Sequence, residues 1–158
     1  KPKRRTVIIF ENLKNYMIKN WPVVIDIEEK FYFKPEAGKF LASPADETDS
    51  PPCDAQPEEI DIALTVDRIQ KSTNLKINKI DHKWAGLRSF FSDRTPIVGE
   101  DIHNTGFYWL AGQGGYGIQT SPAISKIIES LITGEKWPEK LNEFSITSET
   151  LSPLRDIS

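Results

Sequence analysis

The sequence is poor in the residues that build metal and redox centres. It has one cysteine, Cys53, one methionine, Met17, and two histidines, His82 and His103, without metal-ligand spacing. A single cysteine excludes an internal disulfide framework, and a lone thiol builds no zinc cluster. No metal site is expected. Long apolar runs are also missing: Val7-Ile8-Ile9-Phe10 is among the longest, far short of the ~18 residues of a membrane span. No signal-peptide pattern opens the chain, so a reducing, cytoplasmic setting is expected. Excess charge of one sign is lacking too, the net being −3. The basic cluster Lys1-Pro2-Lys3-Arg4-Arg5 is offset by an acidic middle, which argues against a nucleic-acid partner. A chain of 158 residues is one domain, or one and a part.

What is present alternates strand and helix signals. Residues 6–10 are β-branched and aromatic and predict a strand almost at the first residue, which suggests a chain cut from something longer. Residues 23–27 predict a second strand. Residues 31–42 predict a hairpin about Pro35-Glu36-Ala37-Gly38. A proline-rich acidic loop follows over 43–57, without the ligand alternation that calcium needs. A helix is expected over 58–73, with Ile62, Ala63, Val66 and Ile69 as its apolar stripe. A long strand over 76–91 contains Gly86, a short extended piece covers 95–99, and a buried strand is expected over 106–111. A second helix should run over 121–133 and stop at Gly134, before a poorly structured tail.

Between the last strand and the last helix stands Gly112-Gln113-Gly114-Gly115-Tyr116-Gly117, which contains a GxGxxG spacing. As a dinucleotide fingerprint it fails. No strand ending in an acidic residue follows the helix, and the motif lies near the end of the chain instead of opening a domain. Four glycines before a helix still let backbone approach a flat or charged ligand, with free N–H groups and a partial positive charge aimed at it. The alternative is a turn whose glycines only let strand pack on helix.

Trp84-Ala-Gly-Leu-Arg88, Asp93-Arg-Thr-Pro96-Ile-Val-Gly99 and Phe107-Tyr-Trp-Leu-Ala-Gly-Gln-Gly-Gly-Tyr-Gly-Ile-Gln-Thr-Ser-Pro-Ala123 together resemble the C-terminal half of the FAD-dependent D-amino-acid oxidase family. This family includes glycine and sarcosine oxidases and D-amino-acid dehydrogenases. The hairpin Phe31-Tyr-Phe-Lys-Pro-Glu-Ala-Gly38 is similar to its substrate-domain strand, and Leu151-Ser-Pro-Leu-Arg155 to its closing motif. The resemblance implies an α+β fold, a largely antiparallel twisted sheet with flanking helices. Residues 1–91 would be most of the substrate domain. Residues 92–158 would be the C-terminal part of an FAD domain whose N-terminal half, with its own GxGxxG, is absent. The strand at 106–111 would then lack its parallel neighbours and leave an apolar edge open to aggregation or dimerisation.

Arg88 stands two residues after a strand glycine, and is either paired to a carboxylate inside the fold or waiting for one from a ligand. Tyr32, opposite in face to Phe31 and Phe33, is either a half-buried core tyrosine or a hydroxyl over a substrate, with Lys34 on the same face. The resemblance implies the ligand reading for both: Arg88 for the substrate carboxylate and Tyr32 beside it. It also implies that Gly86 and the run Gly112, Gln113, Gly114, Gly115, Tyr116, Gly117, Ile118 and Gln119 lie against FAD. The flavin is expected to be non-covalent, because residues 89–92 contain no cysteine.

The expected function is therefore that of part of a flavin-dependent oxidoreductase. Its substrate would be a small D-amino acid, glycine or an N-methylated amine, oxidised by hydride transfer to an imine and then a 2-oxo acid. The expected partners are that substrate, the absent N-terminal half of the same polypeptide, and a second copy in a homo-oligomer. The fragment alone is expected to be inactive and to hold FAD weakly or not at all. The rival from another class is a stand-alone, non-catalytic binding module on the same sheet. A third reading, an unrelated anion-binding protein, requires Arg88 and the glycine turn to lie far apart.

Overall fold

Pro2–Phe10 forms β1, the strand around which the larger sheet is organised. It starts earlier than the sequence pattern predicts. The reason is that Arg4 is not a solvated terminal charge: its guanidinium donates to Asp61 at 3.2 and 2.9 Å and also to Glu58. Both acids belong to the start of the first helix. Thr6, Ile8 and Phe10 continue the face that Arg4 begins and are fully buried, as period-2 alternation requires.

The computed structural model describes residues 1–14 and 16–155, and the chain divides into two compact units. The first is Pro2–Leu87; the second is Arg88–Ser158 together with Lys1. In the first, β2 (Val24–Ile25), β3 (Tyr32–Glu36), β4 (Lys39–Ser43), β1 and β5 (Thr48–Asp49) lie in the order β2-β3-β4-β1-β5, and β6 (Ile80–Ser89) also pairs with β1. The pairs of β2, β3, β4, β1 and β5 are antiparallel. Ala37 and Gly38, both at positive φ, make the two-residue turn of the predicted hairpin. Strand β5 falls inside the segment predicted as loop. Ile8 faces Ala42 but Arg4 faces Thr48, so two extra residues are looped out between β4 and β5. The Asp46 carboxylate fills the gap by accepting the Thr6 N–H at 2.7 Å and hydroxyl at 3.0 Å. Burial pushes that carboxyl up, against the pull of these bonds.

Helix α1 (Glu59–Ser72) covers this sheet through Ile62 and Ile69, against Ile8, Phe10, Phe33 and Phe40. Pro57 precedes it, acids fill its first turn, and Lys71 lies in its last, which suits the helix dipole. The expected stripe needs one correction: Ala63 is exposed and Thr65 takes its place. The Thr65 hydroxyl is satisfied by the Asp61 carbonyl at 2.7 Å, which removes the cost of burying it.

The second unit contains β7 (Ile97–Glu100) and β8 (Tyr108–Ala111), an antiparallel pair, with helix α2 (Gly117–Thr133) packed on it. Val98, Ile124, Ile127 and Leu151 form the core. Strand β8 is not the buried strand that its composition predicts. Among the described residues it pairs with β7 alone, and Trp109 and Leu110 are about 40% exposed. The tail is also ordered where irregular chain is expected. A 3-10 turn spans Glu139–Phe144, and α3 (Ser148–Leu151) is closed by reciprocal Thr147–Thr150 capping bonds. Trp137, whose indole donates to the Ile146 carbonyl at 3.2 Å, and buried Leu151 anchor this segment to the core. No helix among the described residues is long and apolar enough to cross a membrane.

Candidate functional site

The glycine turn is built in the second unit, between β8 and α2. Gly112 and Gly114 have φ of +72° and +54°, which favour glycine. A Cβ on Gly114 would stand 2.4 Å from the Phe90 ring, so this glycine also serves close packing. The turn is tied to the chain after β6 by the Gly114 N–H, which donates to the Ser89 carbonyl at 2.9 Å, and by a bridge between Phe90 and Gln113. Gly115 differs from both. Its φ is ordinary, nothing lies within 4 Å of an added Cβ, and it is exposed. The fold supplies no reason for a glycine there.

Helix α2 starts at Gly117, four residues before the predicted start, so Gly117, Ile118 and Gln119 form its first turn and not a loop. Pro122 misleads the sequence reading. It lies inside the helix, where its ring removes a donor to the Ile118 carbonyl, and the Ser121 hydroxyl bonds that carbonyl instead at 2.8 Å. The helix begins without a side-chain cap or an acid in its first turn. The N–H groups of Gly115, Gly117, Ile118 and Gln119 have no partner among the described residues. Ile118 and Tyr116 are exposed beside them. Such donors, at the positive end of a helix dipole, suit a group that carries or develops negative charge.

Arg88 belongs to the same unit, one residue before Ser89 on which the glycine turn hangs. It is exposed, and its side chain makes no hydrogen bond or ion pair with any described residue. The separation of Arg88 from the turn that the anion-binding alternative requires is therefore not found. Tyr32 and Gly86 lie in the other unit. Phe31 and Phe33 are buried and Tyr32 half-buried, its register partners being Ile25 and Ser43. Lys34 shares that face, but its ammonium is engaged by Glu36 at 2.5 Å. Gly86 is exposed, with open space where a Cβ would stand.

Two clusters escape the sequence reading. The Asp101 carboxylate accepts the Trp109 indole N–H at 2.8 Å and the backbone N–H groups of His103 and Asn104, which hold its carboxyl at about 2. The Asp-x-x-Asn spacing after a strand is the signal that would have shown this turn. Arg155 donates to both oxygens of Asp93, at 2.7 and 2.9 Å, and to the carbonyls of Thr95, Pro96 and Ser152. That bond holds the Asp93 carboxyl below the usual range. The motif containing Arg155 was visible, but not its partners.

Comparison with known proteins places these features in a family. The family described as FAD dependent oxidoreductase matches residues 1–131. Among solved structures, the chain is similar to iminodiacetate oxidase from Chelativorans sp. BNC1, with 18% identity, a TM-score of 0.72, and coverage of 96% of this chain and 39% of that one. Glycine oxidase from Geobacillus kaustophilus gives 16% identity and a TM-score of 0.71, covering 99% of this chain and 40% of that one. L-proline dehydrogenase from P. horikoshii gives 21% and 0.69, covering 86% and 37%. The likeness at these identities is one of fold, and confirms the α+β architecture with antiparallel sheets. The chain spans about two fifths of the length of the structures it matches.

Proposed function

The chain belongs to the FAD dependent oxidoreductase family, and from that premise we propose that it is the C-terminal part of a flavoenzyme oxidising a small D-amino acid, glycine or an N-methylated amine. The observation that carries this reading is the row of unpartnered N–H donors at Gly115 and Gly117–Gln119, beside a glycine with no internal reason to be one. A flat group carrying partial negative charge fits there, because a side chain at 115 would stand in its way. FAD, when bound, accepts the hydride that leaves the substrate Cα. The donors of this chain stabilise the negative charge that then develops, and they do so without reorganising.

Gly112, Gln113, Gly114 and Tyr116 hold the turn in place, while Gly115 and the first turn of α2, Gly117, Ile118 and Gln119, would hold the flavin. Arg88 forks the substrate carboxylate, a role that suits a side chain with no partner among the described residues. For Tyr32 a role toward the substrate is proposed from the family resemblance alone. The substrate enters with a neutral amine, loses a hydride from Cα and a proton from nitrogen, and leaves as an imine. Water then yields the 2-oxo acid and ammonia or an amine. A glycine oxidase is among the proteins of similar fold, which supports an amino-acid or amine substrate.

The test uses the full-length polypeptide that carries this chain. It should purify with flavin absorbance and oxidise one or more of glycine, sarcosine and D-alanine. Arg88→Ala should raise KM for carboxylate substrates about 100-fold, the equivalent of ~3 kcal/mol for a charge-assisted fork. A full-length protein without flavin would refute the enzyme reading and leave the non-catalytic binding module in its place. An unchanged KM would refute the role of Arg88.

A further inference from the structure

Arg155 is heavily engaged within its unit, and nothing in the reading above uses it. Its side chain is only 8% exposed. The guanidinium forks Asp93, bonds the carbonyls of Thr95 and Pro96 in the same turn, and stacks over the Phe91 ring at 4.7 Å. It ties this turn to Ser152, after α3, through one more carbonyl at 3.0 Å. One planar group therefore fixes four residues of the turn that follows β6.

That turn is the support of the glycine turn. An added Cβ on Gly112 would lie 3.5 Å from the Phe91 nitrogen and 3.9 Å from that of Ile97, so Gly112 rests on both ends of the segment that Arg155 holds. Arg94, within it, stacks on the Phe90 ring at 5.1 Å, and the same ring is the surface on which Gly114 packs. Ser89 and Phe90, which bond Gly114 and Gln113, join the segment directly to Arg88.

We propose that Arg155 is a positioning residue: through the 91–97 turn it sets the height of the glycine turn, and with it the aim of the free donors at the start of α2. This rests on the flavin reading given above. The fork geometry is needed, because one ammonium cannot serve a carboxylate, three carbonyls and an aromatic face together. Small errors in such a support cost function out of proportion to their size.

The experiment compares the flavin-bearing full-length protein with Arg155→Lys and Asp93→Asn. Sulfite, an anion that binds protein-held flavin and bleaches its absorbance, is the probe, and the flavin midpoint potential is read in parallel. The expected result is a sulfite dissociation constant raised about tenfold in both variants, with a lowered potential. Arg155→Lys should fail to rescue although it keeps the charge. Unchanged sulfite affinity and potential in folded variants would overturn the proposal. Loss of folded protein in both variants would overturn it too, by making the clamp a requirement of folding alone. An unaltered protein that carries no flavin would instead bring down the reading on which the proposal rests.

Discussion

Two neighbouring glycines, Gly114 and Gly115, should answer differently to the same added methyl group. At Gly114 the alanine would sit at φ +54°, where an L-residue costs ~1–2 kcal/mol. Its Cβ would also meet three atoms of the Phe90 ring at 2.4, 2.9 and 3.0 Å. Phe90 is buried and lies under the Arg94 guanidinium, so the ring has little room to swing away. Overpacking of this kind costs roughly 1–3 kcal/mol, for a total of about 2–5 kcal/mol. At Gly115 neither term applies, and a shorter list of unfolded conformations leaves stability unchanged or raised by up to ~1 kcal/mol. Urea unfolding of the full-length protein, followed by tryptophan fluorescence, reads this difference. FAD titration reads the other side: Gly115→Ala should weaken FAD at least tenfold in a protein that is no less stable. Equal stability losses would refute the packing argument. Undiminished FAD affinity in Gly115→Ala would refute the claim that a ligand lies against that position.

Acid should expose the two depressed carboxyls. Asp101, at about 2, and Asp93, below its usual value, each contribute stability that is complete above the ordinary carboxylate range and is lost as pH falls through their folded values. Asp101→Asn should therefore flatten the fall in unfolding free energy between about pH 4 and pH 2; an unchanged slope would count against the Trp109 contact. Asp46 acts in the opposite sense, because its raised carboxyl favours the fold as pH falls through its folded value, and Asp46→Asn should remove that gain. Asp61→Ala removes the hydrogen-bonded aspartate and leaves Arg4 buried with Glu58 and the more distant Asp46 carboxylate at 3.9 Å, and should cost about 3–5 kcal/mol, whereas Arg4→Met with Asp61→Leu should recover most of it. A loss below ~1 kcal/mol for Asp61→Ala would show that the pair does not dock α1 on β1. The isolated chain should self-associate through the one-sided strand β8, with Leu110→Lys restoring the monomer in sedimentation; a monomeric unaltered chain would refute this.

Local chemistry was legible in the sequence where it decided the structure. The Ala37-Gly38 turn, the Gly134 stop and the apolar spacing of α1 follow from residues that satisfy their own neighbours. What escaped depends on partners far along the chain. Arg4 is a strand residue only because Asp61 and Glu58 lie beneath it, and β5 forms only because Asp46 closes the break before it. Pro122 concealed the true start of α2, since its usual penalty is removed by a hydroxyl one residue away. The tail looked irregular because Trp137 and Leu151 find their core with Val98 of β7 and Ile124 and Ile127 of α2, far along the chain.

The candidate site divides in the same way, and three arginines show where. By composition Arg4, Arg88 and Arg155 are equivalent, and each stands near apolar or aromatic neighbours. The sequence left open whether Arg88 is paired inside the fold. Arg4 and Arg155 are paired so: one holds an oxygen of an aspartate in the first turn of α1, the other forks an aspartate and bonds three carbonyls. Both are nearly buried, as paired charges in a fold are. Arg88 is exposed and has no partner among the described residues, on a strand that reaches the glycine turn one residue later. An arginine fork and helix-end donors that have no partner among the described residues are what the proposed site for a carboxylate and an electron-accepting ring would need. The same pattern in an arginine that served only the fold would leave its charge unused. Arg88 is therefore the residue on which substitution should separate binding from stability most cleanly, since its side chain has no bond to lose among the described residues.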